Sequence, residues 1–474
     1  MTAARSTIAL LLVLAVLAAL GALPVAAGAV TSQPELAPLS PAFVEALHDP
    51  MVTLGLGRMP SPVEVHVDAS AEGRAAGQAT DPSYDLRAEG RLTPVKDQDP
   101  YSTCWAFGNI AAVESKLMPA DPVPDFSEDN MVRRSGFFSS TSRRYYFGGY
   151  DFMAIAYLTR WAGPVAESSD PYDGLAGSNG TVKHVQGVTM IPGRTSPLDN
   201  DLVKQLVVEN GALSVGMWWE SSYWDELTNS YYDPYKDGEN HGVDIVGWDD
   251  SYPGTDFPVQ PGRAAPPDGA FLVRNSWGTG FGDGGYFWVS YYDRSFAREQ
   301  GLGGFGGMTS YSAVEDKGNY SRIYQRDKLG VTAHTGYKST RVWGANRFTA
   351  RSARRITAAS FYTLASSTRY QVYAGRTFRR LSLRASGTTA LPGYVTVPFA
   401  RALRVVKGKG FVVAVKLVSP GERYPLAIEY PARSWMSGAT ARKGQSYISW
   451  NGTRWKDLTT VYRRSNVCLK AFAE

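Results

Sequence analysis

The stretch "DQDPYSTCWAF" (residues 97–107) holds Cys104, one of only two cysteines in the 474 residues; the other, Cys468, lies in the opposite half of the chain. Cysteine chemistry requires a thiolate, a base to take the proton, a group that orients the base, and donors for an oxyanion. Cys104 opens a helical pattern, where backbone dipoles and free N–H groups favour a thiolate. His241, in "ENHGVDIVGW", is the candidate base, and Asn275, in "VRNSWGTGFGDGGY", its candidate orienter, with Trp277 two residues later. Gln98, six residues before Cys104, is a candidate oxyanion donor. Two cysteines this far apart exclude a disulfide scaffold. Nothing in these motifs calls for a metal or cofactor.

The elements around these residues follow from periodicity. "STCWAFGNIAAVESKLM" reads as a helix, with Trp105, Ile110 and Val113 at helical spacing and Ser102 or Thr103 as cap. "GGYDFMAIAYLTRWAG" reads as a second helix ending at Gly163. "GVDIVGWDD", "GAFLVRNSWG" and "GGYFWVSYYD" read as strands bounded by glycines. The aromatic run "MWWESSYWDELTNSYYDPY" is expected to form a wall and core, and Cys468 to be a buried thiol.

The ends of the chain have other textures. Arg5 and an apolar run from Ile8 to about Leu20 precede the small residues Ala27-Gly28-Ala29, the pattern of a secretory signal peptide over 1–29. The apolar run falls short of the roughly 20 residues that a membrane span needs. An extracellular protein, secreted or cell-surface associated, with no transmembrane segment in its mature chain, is the expectation. Residues 30–81 are rich in Ala, Pro and Gly, with one helical candidate, "SPAFVEALHDPM", and read as a leader or short prosegment without a core of its own. A body over 82–300 is followed by a Gly-rich linker over 301–317. Residues 318–474 then carry seven short alternating segments and no convincing helix, the pattern of an antiparallel sandwich or jelly roll. From residue 318 to the end there are 28 Lys and Arg against 5 Asp and Glu, a net of +23; the preceding residues carry 21 against 39, a net of −18. Such asymmetry fits two competing roles, docking on the acidic half or capture of an anionic polymer.

Six segments, in order, resemble the papain-like cysteine proteases: "YDLRAEGRLTPVKDQ", "CWAF", "FSEDNMVRRSG", "FGGYDFMAIAYL", "NHGVDIVGW" and "NSWGTGFGDGGYF". The resemblance implies an α+β fold with a helical and a β-barrel-like subdomain, and hydrolysis of peptide or protein substrates. It makes Cys104 the nucleophile, His241 the general base and Asn275 its orienter. Trp277 would shield that pair, and Gln98 with the Cys104 N–H would form the oxyanion hole. Gly148 and Gly149 would bind substrate backbone as an added strand does. Asn240 would receive the amide of the residue before the scissile bond, and Tyr150, Asp151 and Gly242 would line part of the S2 pocket. The family's cysteines at the positions of Tyr101, Arg134 and Tyr146 are missing, so packing must replace a bridge typically worth about 2–4 kcal/mol. The leader is shorter than the family's helical prosegment, and "DSYPGTDFPVQPGRAAPPDG" is an insertion expected to be an exposed loop. The β-domain resembles the lectin-like domain that follows such proteases in some prokaryotic surface proteins, a likeness that bears on fold far more than on any sugar; carbohydrate is the ligand it suggests, the +23 charge suggests an anionic envelope polymer, and no specific nucleic acid is expected. The alternative is a non-catalytic adhesion protein on a protease-like scaffold; an acyltransferase such as a transglutaminase is disfavoured, since it normally orients its histidine with aspartate.

Overall fold

The structure, a computed structural model, describes residues 33–48, 56–67, 81–259, 262–298, 307–436 and 438–474. The expected signal peptide lies outside them, as do parts of the leader and residues 301–306 of the expected linker. Among the described residues no helix is long and apolar enough to cross a membrane.

The first helix of the N-terminal body runs Cys104–Leu117, buried from Cys104 to Ser115, as befits a helix with apolar residues on every side. Helices Glu128–Arg134, Thr141–Tyr146 and Asp151–Thr159 gather beside it. The last of these ends four residues before Gly163, because the chain turns out of the helix at Arg160. On the other side of the Cys104 helix, strands Lys183–Ile191, Leu213–Met217, His241–Asp249, Ala270–Arg274 and Tyr286–Ser290 form an antiparallel sheet, with helix Asp201–Asn210 packed on it. Glu114, fully buried in the Cys104 helix, accepts from Thr93 Oγ1 (2.6 Å), Lys96 Nζ (3.1 Å) and the Phe126 N–H (2.7 Å). These bonds fasten the loop that carries Gln98 to the helix that carries Cys104.

Where the family's disulfide is missing, aromatic rings meet. Tyr101 packs edge-on against Tyr146 (centroids 5.6 Å) and Tyr172 (5.8 Å), and tilted against Tyr145 (4.5 Å). The insertion between His241 and Asn275 is mostly exposed but is pinned by Phe257, buried against Tyr252 and Tyr232.

The linker expected over 301–317 is shorter than the sequence suggests. Met308–Asp316 is a strand that pairs with Lys183–Ile191 and Leu213–Met217 inside the sheet of the N-terminal body. Its first four residues, Met308 to Tyr311, are buried against the neighbouring strands, a tertiary contact that their sequence MTSY does not announce. The C-terminal part is a two-layer β-sandwich, as expected. One layer is a six-stranded sheet that includes Arg341–Thr349, Thr368–Gly375 and Gly410–Val418. The other includes Arg354–Thr363, Gly393–Val405 and Leu469–Ala473. Between them lie Phe348, Phe361, Phe411, Val413, Val415 and Leu469. Cys468 is a buried free thiol. Strands at Arg341–Thr349 and Ser382–Thr389 are not evident from the sequence, the second because its mostly exposed residues SLRASGTT carry no apolar alternation.

The second layer does not stop at the domain edge. Gly393, Tyr394 and Val395 pair with Thr189, Val188 and Gly187, so one continuous 13-stranded sheet runs through both bodies. The leader, expected to have no core of its own, is buried in the cores of its neighbours. Glu35–Leu36 adds a strand to Ala333–Gly336 of the β-domain. Phe43, Met59 and Val63 are fully buried with Trp105 and Tyr150 of the N-terminal body. His66 closes against the β-domain through backbone bonds to Leu364 and Ser366 and a 3.0 Å contact with Glu422. Phe43 meets Tyr150 edge-on at 6.3 Å and Trp435 at 6.4 Å. Phe43→Ala should therefore weaken leader docking by about 3–5 kcal/mol, seen as faster cleavage of the leader by a dilute added protease while the body stays intact.

Candidate active site

Thr103 occupies the N-cap position of the Cys104 helix, but its hydroxyl meets the Tyr172 hydroxyl (2.5 Å) and caps no helix amide. The first N–H groups of the helix are thus left for whatever lies in front of them. Cys104, fully buried, accepts a hydrogen bond on Sγ from the Gly242 N–H at 3.1 Å. The residue before Gly242 is His241, at the start of strand His241–Asp249. Its Nε2 lies 2.8 Å from Asn275 Oδ1, and since the amide oxygen can only accept, Nε2 carries the proton. Nδ1 is buried without a partner, leaving its lone pair open to accept a proton. The Trp277 indole stacks on the imidazole, with centroids 4.6 Å apart and planes 22° from parallel. Asn275 Oδ1 also accepts from the Ser276 N–H at 2.8 Å.

Gln98 is held on both sides of its amide. Its Oε1 accepts from Ser276 Oγ (2.8 Å), which turns Nε2 toward the cleft, where it donates to the carbonyls of Tyr101 (3.0 Å) and Leu56 (3.1 Å). Leu56 belongs to the leader, which goes on through the cleft. Gly149 donates its N–H to the Gly57 carbonyl (3.1 Å) and accepts from the Met59 N–H (3.0 Å), and Arg58 donates its N–H to the Asn240 carbonyl (3.2 Å). Gly149 therefore pairs as an added strand requires, with the leader as the strand. The approach is close enough to require glycine. At Gly57, with φ +115°, a Cβ would stand 2.4 Å from the Ser102 carbonyl; at Gly149 it would stand 2.6 Å from the Trp105 ring.

The side chains expected to bind substrate divide. The Arg58 guanidinium pairs with both oxygens of Asp151 (2.8 and 2.9 Å), and its aliphatic chain passes Gly242. Gly148 lies against the leader backbone, where a Cβ on it would stand 3.0 Å from the Gly57 carbonyl. Asn240 presents its backbone carbonyl, while its side-chain amide is spent on the Trp219 backbone (2.7 and 3.0 Å). Tyr150 departs from expectation: its ring goes into the core between Phe43 and Phe137, because an apolar slot is open there. Three participants escape sequence reasoning, Arg58, Glu239 and Ser276, whereas Trp219 belongs to the aromatic run expected to form a wall. Trp219 stands edge-on to both Trp277 (4.9 Å) and His241 (6.4 Å), extending the aromatic wall. The run "MWWESSYW" is the available signal for that wall; no periodicity marks Arg58 or Glu239.

Burial sets the protonation of the pair. It pushes the Cys104 thiol up to about 12, against the opposing pull of the Gly242 N–H and Arg58. It pushes the His241 imidazole down to about 4, against the Asn275 hydrogen bond. With the leader seated, the pair is a neutral thiol beside a neutral imidazole at pH 7. Letting water in reverses both shifts, and loss of the Arg58 charge opposes this only weakly for Cys104. Gly57→Val, which forces the leader off the Ser102 backbone, should move the pH midpoint for iodoacetamide labelling of the Cys104 peptide from alkaline toward neutral. An upward move would mean that the Arg58 charge, and not burial, governs the thiol.

Residues 80–300 match the family model of the papain family cysteine protease, and residues 323–473 match that of the lectin like domain. A solved structure of the cysteine protease and lectin-like domains of Cwp84, a surface layer associated protein of Clostridium difficile, is 25% identical and superposes with a TM-score of 0.77, covering 94% of this chain and 98% of that one. Among curated proteins, a probable cysteine protease RDL6 of Arabidopsis thaliana is 28% identical, with 52% of this chain and 64% of that protein covered. A cathepsin L-like peptidase of Aedes aegypti is 30% identical, with 43% and 57% covered. The chain thus spans less than two thirds of the length of these curated relatives. It carries a papain-family cysteine protease domain followed by a lectin-like β-domain.

Proposed function

We propose that the protein is a secreted or cell-surface cysteine endopeptidase that hydrolyses peptide bonds through Cys104, His241 and Asn275, with its leader as a plug and its β-domain as an anchor. The observation that carries this reading is the 2.8 Å His241–Asn275 bond under the Trp277 ring, with Cys104 Sγ held by the N–H of the very next residue, Gly242. In the reaction, the unpartnered Nδ1 of His241 takes the thiol proton. The thiolate adds to the substrate carbonyl, and the oxyanion is held by the Gln98 amide and the Cys104 N–H. His241 returns the proton to the leaving amine, and a water molecule deprotonated by His241 then hydrolyses the thioester. Asn275 keeps the proton on Nε2 so that Nδ1 stays the basic nitrogen.

The leader now fills the place of a substrate, with its Leu56 carbonyl on the oxyanion donor and its backbone on Gly149. Its displacement would be the activating step. The Clostridium difficile neighbour is also known as a cysteine protease after propeptide cleavage, a form that covers 83% of this chain at a TM-score of 0.69.

For the β-domain, the exposed cations support capture of a polyanion at the cell envelope. Arg351, Arg354, Arg355, Arg376, Arg379 and Arg380 are all exposed. The domain is joined to the acidic half through strand pairing and a shared core, which leaves these charges to the solvent. That neighbour's description as a surface layer associated protein agrees with such an address.

In a leader-free or Gly57→Val background, Cys104→Ala and His241→Ala should abolish peptide hydrolysis and labelling by an epoxide-type thiol-protease inhibitor. Gln98→Ala should lower kcat by roughly 10²–10³ without unfolding, and Asn275→Ala should be milder than loss of Cys104 or His241. Undiminished cleavage by the Cys104→Ala protein would leave the adhesion reading. Binding of the full chain to an anionic envelope polymer should weaken steeply between 0.1 and 1 M salt, as the screening length falls from about 10 Å to about 3 Å. Salt-independent binding would point to neutral carbohydrate instead.

A further inference from the structure

The Arg58 guanidinium is fully engaged although almost no solvent reaches it. Nη1 and Nη2 bond the two oxygens of Asp151 at 2.8 and 2.9 Å, and Nε bonds Glu239 Oε2 at 2.8 Å. Both carboxylates are buried. This is a fork-on-fork arrangement with a further charged acceptor at the edge of the fork.

The socket is built into the protease body and not by the leader. Asp151 opens the helix Asp151–Thr159, and its Oδ1 also accepts from Asn109 Nδ2 at 2.8 Å. Asn109 is fixed in turn by the Trp105 carbonyl (2.8 Å) and the Tyr311 hydroxyl (2.6 Å). Glu239 fits only because position 216 is glycine, since a Cβ there would stand 1.6 Å from Glu239 Oε2. The leader supplies the occupant alone. Arg58 is the residue bracketed by the two backbone bonds to Gly149, the backbone expected to align a substrate, so its side chain enters the cleft where a substrate side chain would.

Resting on the cysteine-peptidase reading, we propose that Asp151 and Glu239 form a guanidinium-binding S2 subsite, that the enzyme selects peptides with arginine at P2, and that Arg58 of the leader is the stand-in for that residue.

The physical case is one of penalty as much as attraction. When the leader leaves, two carboxylates face the subsite with no cation between them. A leucine at P2 would seal them from water unpaired, which is costly. A glutamate would add a third negative charge. A lysine supplies one compact charge, which cannot reach Asp151 and Glu239 with three donors in a plane. The expected order is Arg, then Lys, then Leu, then Glu. A site whose buried polar groups go unpaired with the wrong occupant rejects it strongly, so arginine should exceed leucine in kcat/KM by about 100-fold or more.

The test uses the full chain carrying Arg58→Ala, whose leader no longer fills the subsite, with fluorogenic peptides that differ only in Arg, Lys, Leu or Glu at P2. The expected result is the order above, and in the same background Asp151→Asn with Glu239→Gln should shrink the Arg-to-Leu ratio at least tenfold. Should Arg58→Ala not fold, the unmodified full chain serves. Peptidyl diazomethanes with Arg or Leu at P2 compete with the leader, and the Arg compound should alkylate Cys104 faster. A protein whose Cys104 is labelled and which cleaves peptides, but with leucine equal to or above arginine, overturns this inference and leaves the peptidase reading standing. A folded protein that neither labels nor cleaves with any compound overturns both.

Discussion

Gly108 lets the Cys104 helix lie close on the sheet, since a Cβ there would stand 3.1 Å from Ser214 Oγ on the strand Leu213–Met217, which pairs with the strand His241–Asp249. The remainder of the site depends on this approach. Cys104 lies one turn earlier on the same helix, so the tight contact at Gly108 carries the thiol to the start of the strand and onto the Gly242 N–H. The strand's other neighbour brings the orienter. Asp244 pairs with Arg274, and the next residue, Asn275, leaves the sheet where His241 begins it. Glu114 on the same helix then draws in the Thr93–Lys96 loop, and with it Gln98. Four side chains from three distant parts of the sequence, Gln98 with Cys104, His241 and Asn275, meet where this helix rests on the sheet.

The leader acts on this frame through dielectric as well as shape. Arg58 places a positive charge near Cys104, which by itself favours a thiolate. The same segment excludes water, and that exclusion outweighs the charge: the thiol rises to about 12 and the imidazole falls to about 4. An occupied cleft is thus chemically quiet as well as sterically closed. The ion pair that holds the plug also satisfies Asp151 and Glu239, which would otherwise be buried carboxylates without a cation.

The chemistry-bearing residues are legible in the sequence because each sits in a run whose local pattern is strong. Cys104 begins a helix apolar on all sides; His241 begins, and Asn275 follows, strands of near-continuous apolar residues bounded by glycine. The sandwich is legible from alternation, and its polar edge strand Ser382–Thr389 escapes for want of it. What local pattern cannot carry are long-range matches. Arg58 finds Glu239 across 181 positions and Asp151 across 93, and neither partner has a local signature. A short Pro- and Gly-rich segment looks like a spacer when its apolar residues, Phe43, Met59 and Val63, have no partners within it. Resemblance marks Asp151 as a pocket residue, but its charge acquires meaning only once Glu239 is seen beside it. Tyr150 departs from its expected place for the converse reason: a side chain's direction at a helix start depends on which slot the tertiary fold leaves open.

The two bodies share backbone hydrogen bonds, and that changes how the charge asymmetry is to be understood. A −18 half and a +23 half invite a picture of electrostatic docking, which salt would loosen. Yet Gly393–Val395 pair with Gly187–Thr189 in one sheet, and Leu329, Val331, Tyr362 and Tyr394 join the protease's own apolar cluster. Strand pairing and burial are only weakly sensitive to salt, so the junction does not need the surface charges to form. Among the described residues, the lysines of the β-domain that reach a carboxylate do so at Glu35 in the leader and at Asp327 within the domain. The leader therefore stitches together cleft and sandwich: its strand at Glu35–Leu36 is anchored on the β-domain, and its Arg58 pairs with Asp151 and Glu239.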